Sequence, residues 1–280
     1  MDGHDGGPAR VDPVDRAHLT GRSRPTPPIH RYAPSADLAG LVERYWLPVW
    51  SLAAPQTQRT LQHPVCLLVV SPTYARMYGV ARGSSTVTLE GTGWAAGVML
   101  RPAAGALLLD GPVTGLTDTA IDLGAVPTLD GDALTTEVRA AMAEDPHSST
   151  AHAAVVAAYE TRLRRLLPVD PEGEVVNGLV DWLAAHPEVV RVRDVAAGVG
   201  LSERALQRLV VRRTGLTPKW LLQRRRLHEA VLRLKAGGTS LATTAADLGY
   251  TDQAHFTHDF RTVTGMTPGE YLADQPGTPA

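Results

Sequence analysis

The chain has 280 residues, 27 Lys and Arg against 29 Asp and Glu, a formal net charge of −2, and 44% hydrophobic residues, enough for one large core or two smaller ones. Its single cysteine, Cys66, excludes an internal disulfide framework and any zinc site built from several of its own thiolates. No run of about 18 apolar residues predicts a membrane span, and the first residues lack the basic flank and apolar core of a signal peptide, so a cytoplasmic protein without a membrane partner is expected.

Residues 1–30, rich in Gly, Pro, Asp and Arg without apolar periodicity, predict a disordered tail. Residues 31–168 predict a regulatory, effector or dimerisation domain. Its first part, from "RYAPSADLAGLVERYW" to about residue 112, holds the short apolar runs "CLLVVS", "ARMYGVARG", "STVTLEGTG" and "WAAGVMLRP". These predict β-strands, with an Ala/Gly/Pro-rich edge at "RPAAGALLLDGP". Helical periodicity takes over in "DALTTEVRAAMAE" and "AVVAAYETRLRRLL". The prolines and glycine of "LLPVDPEGE" predict a linker at 169–175. Residues 176–273 then read as helical throughout, and 274–280 as a second tail.

The mean charge hides an uneven distribution. Between Glu188 and Ala236 twelve basic residues stand against four acidic ones, a net of +8, so the remainder sums to −10. A basic module joined to an acidic one points to a polyanionic partner for the helical part.

That part contains an internal repeat. "TGLTP" at 214–218 recurs as "TGMTP" at 264–268, and upstream "DVAAGVG" aligns with "TTAADLG". Each unit reads as a helix with small alanines, a turn at Gly200 or Gly249, and a second helix started by Ser202 or Asp252 and stopped near Gly215 or Gly265. This is the pattern of a helix-turn-helix. Projected at about 100° per residue, Leu206, Leu209 and Val210 share one stripe, as do Phe256, Phe260 and Val263. Opposite them lie Arg204, Arg208 and Val211 in the first unit, and Ala254, His258 and Arg261 in the second, flanked by Gln207, Arg212 and His255. Arg, Gln and His can reach base edges or phosphates in a major groove. The intervening segment from Pro218 predicts a helix of about 18 residues, roughly 27 Å long, suited to placing two recognition helices one DNA turn apart.

Residues 175–273, through "LSERALQRLVVRRTGLTPKWLLQRRRLHEAVLRL" and "SLATTAADLGYTDQAHFTHDFRTVTGMTPGEYL", resemble the DNA-binding domain of the AraC/XylS family of bacterial transcription regulators. The upstream part is more weakly similar to a regulatory domain fused to some members. The resemblance implies an α+β protein, with a mainly β N-terminal regulatory domain carrying helices and an all-α C-terminal domain of two helix-turn-helix motifs joined by a long helix. It implies base reading by Arg204, Gln207, Arg208, Gln253, Ala254, His255 and His258. The candidates for phosphate contact are Ser202, Arg212, Arg224, Arg225, Thr251 and Arg261, although the arc of Arg224, Arg225 and Arg226 lets at most two of the three touch phosphate. A long basic residue is common in the family where His258 stands, and a polar one where Ala254 stands.

In the N-terminal domain Trp46, Tyr78, Trp94 and Arg101 are candidates for contact with a small-molecule effector, and Arg101 is equally able to pair with a domain acid. His63 lies near Cys66, too few ligands for a metal site, and no cofactor is expected. The expected function is sequence-specific regulation of transcription through double-stranded DNA at two adjacent major grooves, controlled by an effector or partner. RNA polymerase and a second copy of the chain are further candidate partners. One alternative is constitutive regulation, with the N-terminal domain serving only to dimerise or contact proteins. A remoter one, an alkylation-repair enzyme fused to the DNA-binding module, calls for a cluster of cysteines that the chain lacks, and no enzymatic activity is expected.

Overall fold

The computed structural model describes Leu19 and residues 27–274. Its N-terminal half carries the strands β1 (Ile29–Tyr32), β2 (Val42–Ser51), β3 (Gln56–Leu61), β4 (Leu67–Val70), β5 (Ala75–Tyr78), β6 (Ser84–Leu89), β7 (Thr92–Trp94), β8 (Ala96–Leu100) and β9 (Ala120–Asp122). Seven join one antiparallel sheet in the order β1-β2-β8-β4-β5-β9, with β7 paired to the far end of β2. β3 and β6 form a separate two-stranded arm. Alternation along β2 makes the sheet one-sided: Tyr45, Leu47 and Val49 are buried while Trp46 and Trp50 point the other way. Those two indoles lie over Gly97 and Gly93, where any side chain would collide with the rings.

The buried face is covered by α2 (Gly131–Ala141) and α3 (Ser149–Leu163), whose Leu134, Val138, Val155 and Tyr159 close the core over Leu68, Val70 and Val98. After β8 comes α1 (Ala104–Leu109), which buries Ala104, Ala106 and Leu108 in the same core. It occupies the segment expected to be a strand-like edge, because its small residues allow close approach: a side chain at Gly105 would meet Cys66 and Val113. The linker is also shorter than expected. Asp170 caps α4 (Pro171–Ala185) by accepting from the Gly173 amide, and Pro171 occupies the first turn, where its missing N–H is not needed. Residues 171–175 are therefore helix.

The repeat follows as α5 (Val192–Gly198) and α6 (Glu203–Thr214), the long α7 (Pro218–Ala236), then α8 (Leu241–Asp247) and α9 (Gln253–Thr264), closed by α10 (Pro268–Ala273). Both turns use a glycine at positive φ, Gly200 at 68° and Gly249 at 73°. Ser202 and Asp252 cap α6 and α9 as expected. The shared "TG(L/M)TP" is a fastener. Its first threonine donates to the carbonyl four residues back (Val210 or Phe260) and accepts the amide two residues on, its glycine ends one helix, and its second threonine caps the next.

The sheet domain supplies part of both helix-turn-helix cores. Val80, after β5, is 1% exposed and packs with Leu206, Val210 and Leu216 of the first. Leu61 of β3 and Leu19 are fully buried with Phe256, Phe260 and Tyr271 of the second. Leu19 thus corrects the reading of residues 1–30 as a tail outside the fold, and β1 begins at Ile29. An isolated leucine among polar residues gives no periodic signal. The rest of that segment before residue 27, and 275–280, lie outside the described residues.

Candidate nucleic-acid interface

α6 buries Leu206, Leu209, Val210 and Arg213, and α9 buries Phe256, Phe260 and Val263. That leaves Ser202, Arg204, Gln207, Arg208 and Arg212 exposed on the first helix and its cap. Thr251, Gln253, Ala254, His255, His258 and Arg261 are exposed at the second. Arg204 and Arg208 form no ion pair among the described residues. Ser202 is engaged locally, accepting from the Ala205 amide at 3.2 Å. Arg212 lies 3.2 Å from Glu172, a partner that any phosphate must displace. The His255 and Tyr250 rings meet edge to face, centroids 5.2 Å apart.

The phosphate assignments of Arg224 and Arg225 are not supported. Arg224 is 2% exposed; its Nη2 donates to the carbonyls of Ala81, Arg82 and Gly83 at 3.1, 2.6 and 3.2 Å, and the guanidinium lies 4.3 Å from the Trp220 ring. Burial pushes its pKa down to about 9. Arg225 donates to the carbonyls of His186 and Val189. The missed signal was periodicity. Leu221, Leu227, Val231 and Leu234 form the buried stripe of α7, and Arg224 lies on it.

These arginines act as struts. Arg225 ties α7 to the turn before α5, while Arg226 lies 4.3 Å from the Tyr250 ring and Arg233 bridges to Asp247 of α8 at 2.8 Å. Both helix-turn-helix units are thereby fixed to a 19-residue helix, about 28 Å at 1.5 Å per residue.

The four effector candidates do not converge. Trp94 belongs to the sheet core, Trp46 covers the opposite sheet face, and Tyr78 pairs near the β5–β9 edge. Arg101 pairs with Asp181 of α4 at 2.5 Å and Glu43 of β2 at 3.1 Å, the acid-pairing alternative. His63 stacks on His228, ring centroids 4.4 Å apart, while Cys66 is buried in the core, where its thiol is pushed up to about 12. A thiol held protonated in this way is a poor acceptor nucleophile.

Residues 195–274 match a family described as a helix-turn-helix domain, and residues 30–122 match one described as a domain of unknown function (DUF6597). Over 96 residues, 34% of each chain, this chain is 36% identical to the HTH-type transcriptional activator RhaS of Escherichia fergusonii. Over 104 residues, 37% of this chain and 35% of the relative, it is 35% identical to the uncharacterized HTH-type transcriptional regulator YidL of Escherichia coli. It therefore spans about a third of the length of the curated relatives it matches. A solved transcriptional regulator with an AraC-type DNA-binding domain from Chromobacterium violaceum is similar over 37% of this chain and 96% of that one, at 30% identity and a TM-score of 0.34. No described helix is long and apolar enough to cross a membrane. Residues 195–274 of this chain are a helix-turn-helix domain, similar in sequence to those of the transcriptional regulators above.

Proposed function

We propose that this protein is a sequence-specific transcriptional regulator that binds double-stranded DNA through α6 and α9 in two adjacent major grooves. The observation that carries this reading is the repeat itself: two recognition helices with exposed Arg204, Gln207, Arg208 and Gln253, Ala254, His255, His258, braced on one helix of groove-spacing length. Ser202, Arg212, Thr251 and Arg261 contact phosphate at the edges. The first unit dominates base reading, because its arginines can make bidentate contacts to guanine, whereas Ala254 offers only a methyl group. The N-terminal domain, packed on both units, adjusts their engagement in response to a small molecule.

Selection from genomic fragments with purified protein, followed by footprinting at two salt concentrations, tests this. Protection of two adjacent major grooves on one face is expected, with affinity falling linearly in log salt. Protection of one groove refutes reading by α9, and absence of any salt-sensitive site refutes the proposal.

A further inference from the structure

The two recognition helices carry different chemistry at equivalent places of the repeat. Where α6 has Glu203, Arg204 and Arg208, α9 has Gln253, Ala254 and His258, and all six are exposed. Arg204 and Arg208 give α6 two guanidinium groups for bidentate contact with guanine. α9 has one arginine, Arg261 in its last turn, so base selection near its start rests on other contacts.

The start of α9 is suited to close approach. Its first turn contains no acid, whereas that of α6 contains Glu203. The capping carboxylate of Asp252 accepts from the His255 amide at 2.7 Å, which balances its charge at the positive end of the helix. Ala254 follows at the second helical position, within the N-terminal stretch that helix-turn-helix proteins set against base edges. Behind it a series of rings fixes the helix: Tyr250 to Phe256, Phe256 to Phe260 and Phe260 to Tyr271, with centroids 5.2, 5.8 and 5.9 Å apart. That support matters because a gap of roughly 0.5–1 Å forfeits a quarter to a half of a dispersion contact. An alanine methyl neither donates nor accepts a hydrogen bond, and against the amino, carbonyl or ring-nitrogen edge of a base it would bury a polar group without a partner. The 5-methyl group of thymine is the apolar feature of the major groove, and it is the one that an alanine complements.

We propose that Ala254 is a specificity-determining residue that reads the 5-methyl group of a thymine, so that the half-site under α9 is chosen by an apolar contact and the half-site under α6 by guanine. The inference rests on the reading of the chain as a regulator that binds two major grooves, and it names what the second reader recognises. Burying one methyl group corresponds to roughly a fourfold gain in affinity. That is modest beside the arginine contacts of α6, but it singles out one base.

The test uses the full chain and the operator recovered by genomic selection. Each thymine in the two protected grooves is replaced in turn by deoxyuridine, which removes the 5-methyl group and keeps every hydrogen-bonding atom, and affinity is measured by fluorescence anisotropy at fixed salt. One position in the groove of α9 is expected to lose about fourfold. In Ala254→Gly the unmodified operator is expected to bind about fourfold more weakly, and the same deoxyuridine to have no further effect, because both changes delete one contact. A second readout needs no variant: with a C·G pair at that position, 5-methylcytosine is expected to bind about fourfold more tightly than cytosine. The absence of a uracil-sensitive thymine under α9, or a uracil effect that persists in full in Ala254→Gly, overturns the assignment. Equal binding of the cytosine and 5-methylcytosine duplexes also overturns it, and this comparison decides if Ala254→Gly does not fold. Such negative results on an operator with two protected grooves leave the regulator reading standing, whereas failure to select any specific site sinks that reading and the methyl contact with it.

Discussion

Arg208 and Arg213, five positions apart on α6, carry opposite expectations. Arg213 is 3% exposed and donates through Nη2 to Asp170 and Glu172, the latter at 3.4 Å. Breaking a fully buried pair costs about 3–5 kcal/mol. Here the carboxylates are 40% and 47% exposed and rehydrate when released, which reduces the loss in Arg213→Ala to about 2 kcal/mol. For a protein of this size that lowers Tm by roughly 4–8 °C. Arg208 touches no acid, so Arg208→Ala leaves stability within about 0.5 kcal/mol but costs about 1–3 kcal/mol of operator binding, roughly 5- to 150-fold. Calorimetry of both variants, with fluorescence anisotropy on one operator duplex at fixed salt, separates the two. If Arg208→Ala melts early, or if Arg213→Ala keeps its Tm and loses DNA, the division of this helix into a reading face and a structural face is wrong.

Acid stability should report the same contact. Burial raises the Asp170 carboxyl, but the Arg213 guanidinium and the Gly173 amide more than offset this and hold it below its ordinary 3.8. Its contribution is therefore complete above about pH 4 and is lost as pH falls through the folded value; in Asp170→Asn that part of the acid limb is expected to be absent from urea titrations. His258→Ala is expected to weaken operator binding less than Arg208→Ala, and equal losses would overturn that ranking. Leu61→Ala, truncating a fully buried side chain in the core of the second helix-turn-helix, should cost about 2–5 kcal/mol and accelerate amide exchange in α9; exchange changes confined to the sheet domain would contradict that placement.

The helix-turn-helix units were legible because everything that defines them is local: two caps, two glycines and an apolar stripe within about 25 residues, stated twice. The four apolar runs were legible as strands for the same reason, since "CLLVVS" is a buried run bounded by turns; β2, the longest strand, was not among them. β3 was not, because "QTQRTL" is polar; it forms by pairing with β6 and by burying Leu61 in a different domain. The roles of the arginines were only half legible. An exposed position such as Arg208 follows from helical projection, whereas Arg213 and Arg224 take their roles from acceptors 43 and about 142 positions away. Arg101 was left open between a ligand and an acid, and the Asp181 that it pairs with stands 80 positions on.

Residues 79–84, the five that join β5 to β6 and the first of β6, touch every part of the reading apparatus: Val80 enters the first helix-turn-helix core, the carbonyls of Ala81, Arg82 and Gly83 hold Arg224 of α7, and the Ser84 hydroxyl lies 3.4 Å from the Thr264 carbonyl at the end of α9. Three separated supports define the pose of a rigid body, so this short connection works as a gauge block that sets the phase between two screw threads. Shortening it by one residue would leave each thread able to grip its own half-site, and the change would appear as a new preferred number of base pairs between the half-sites.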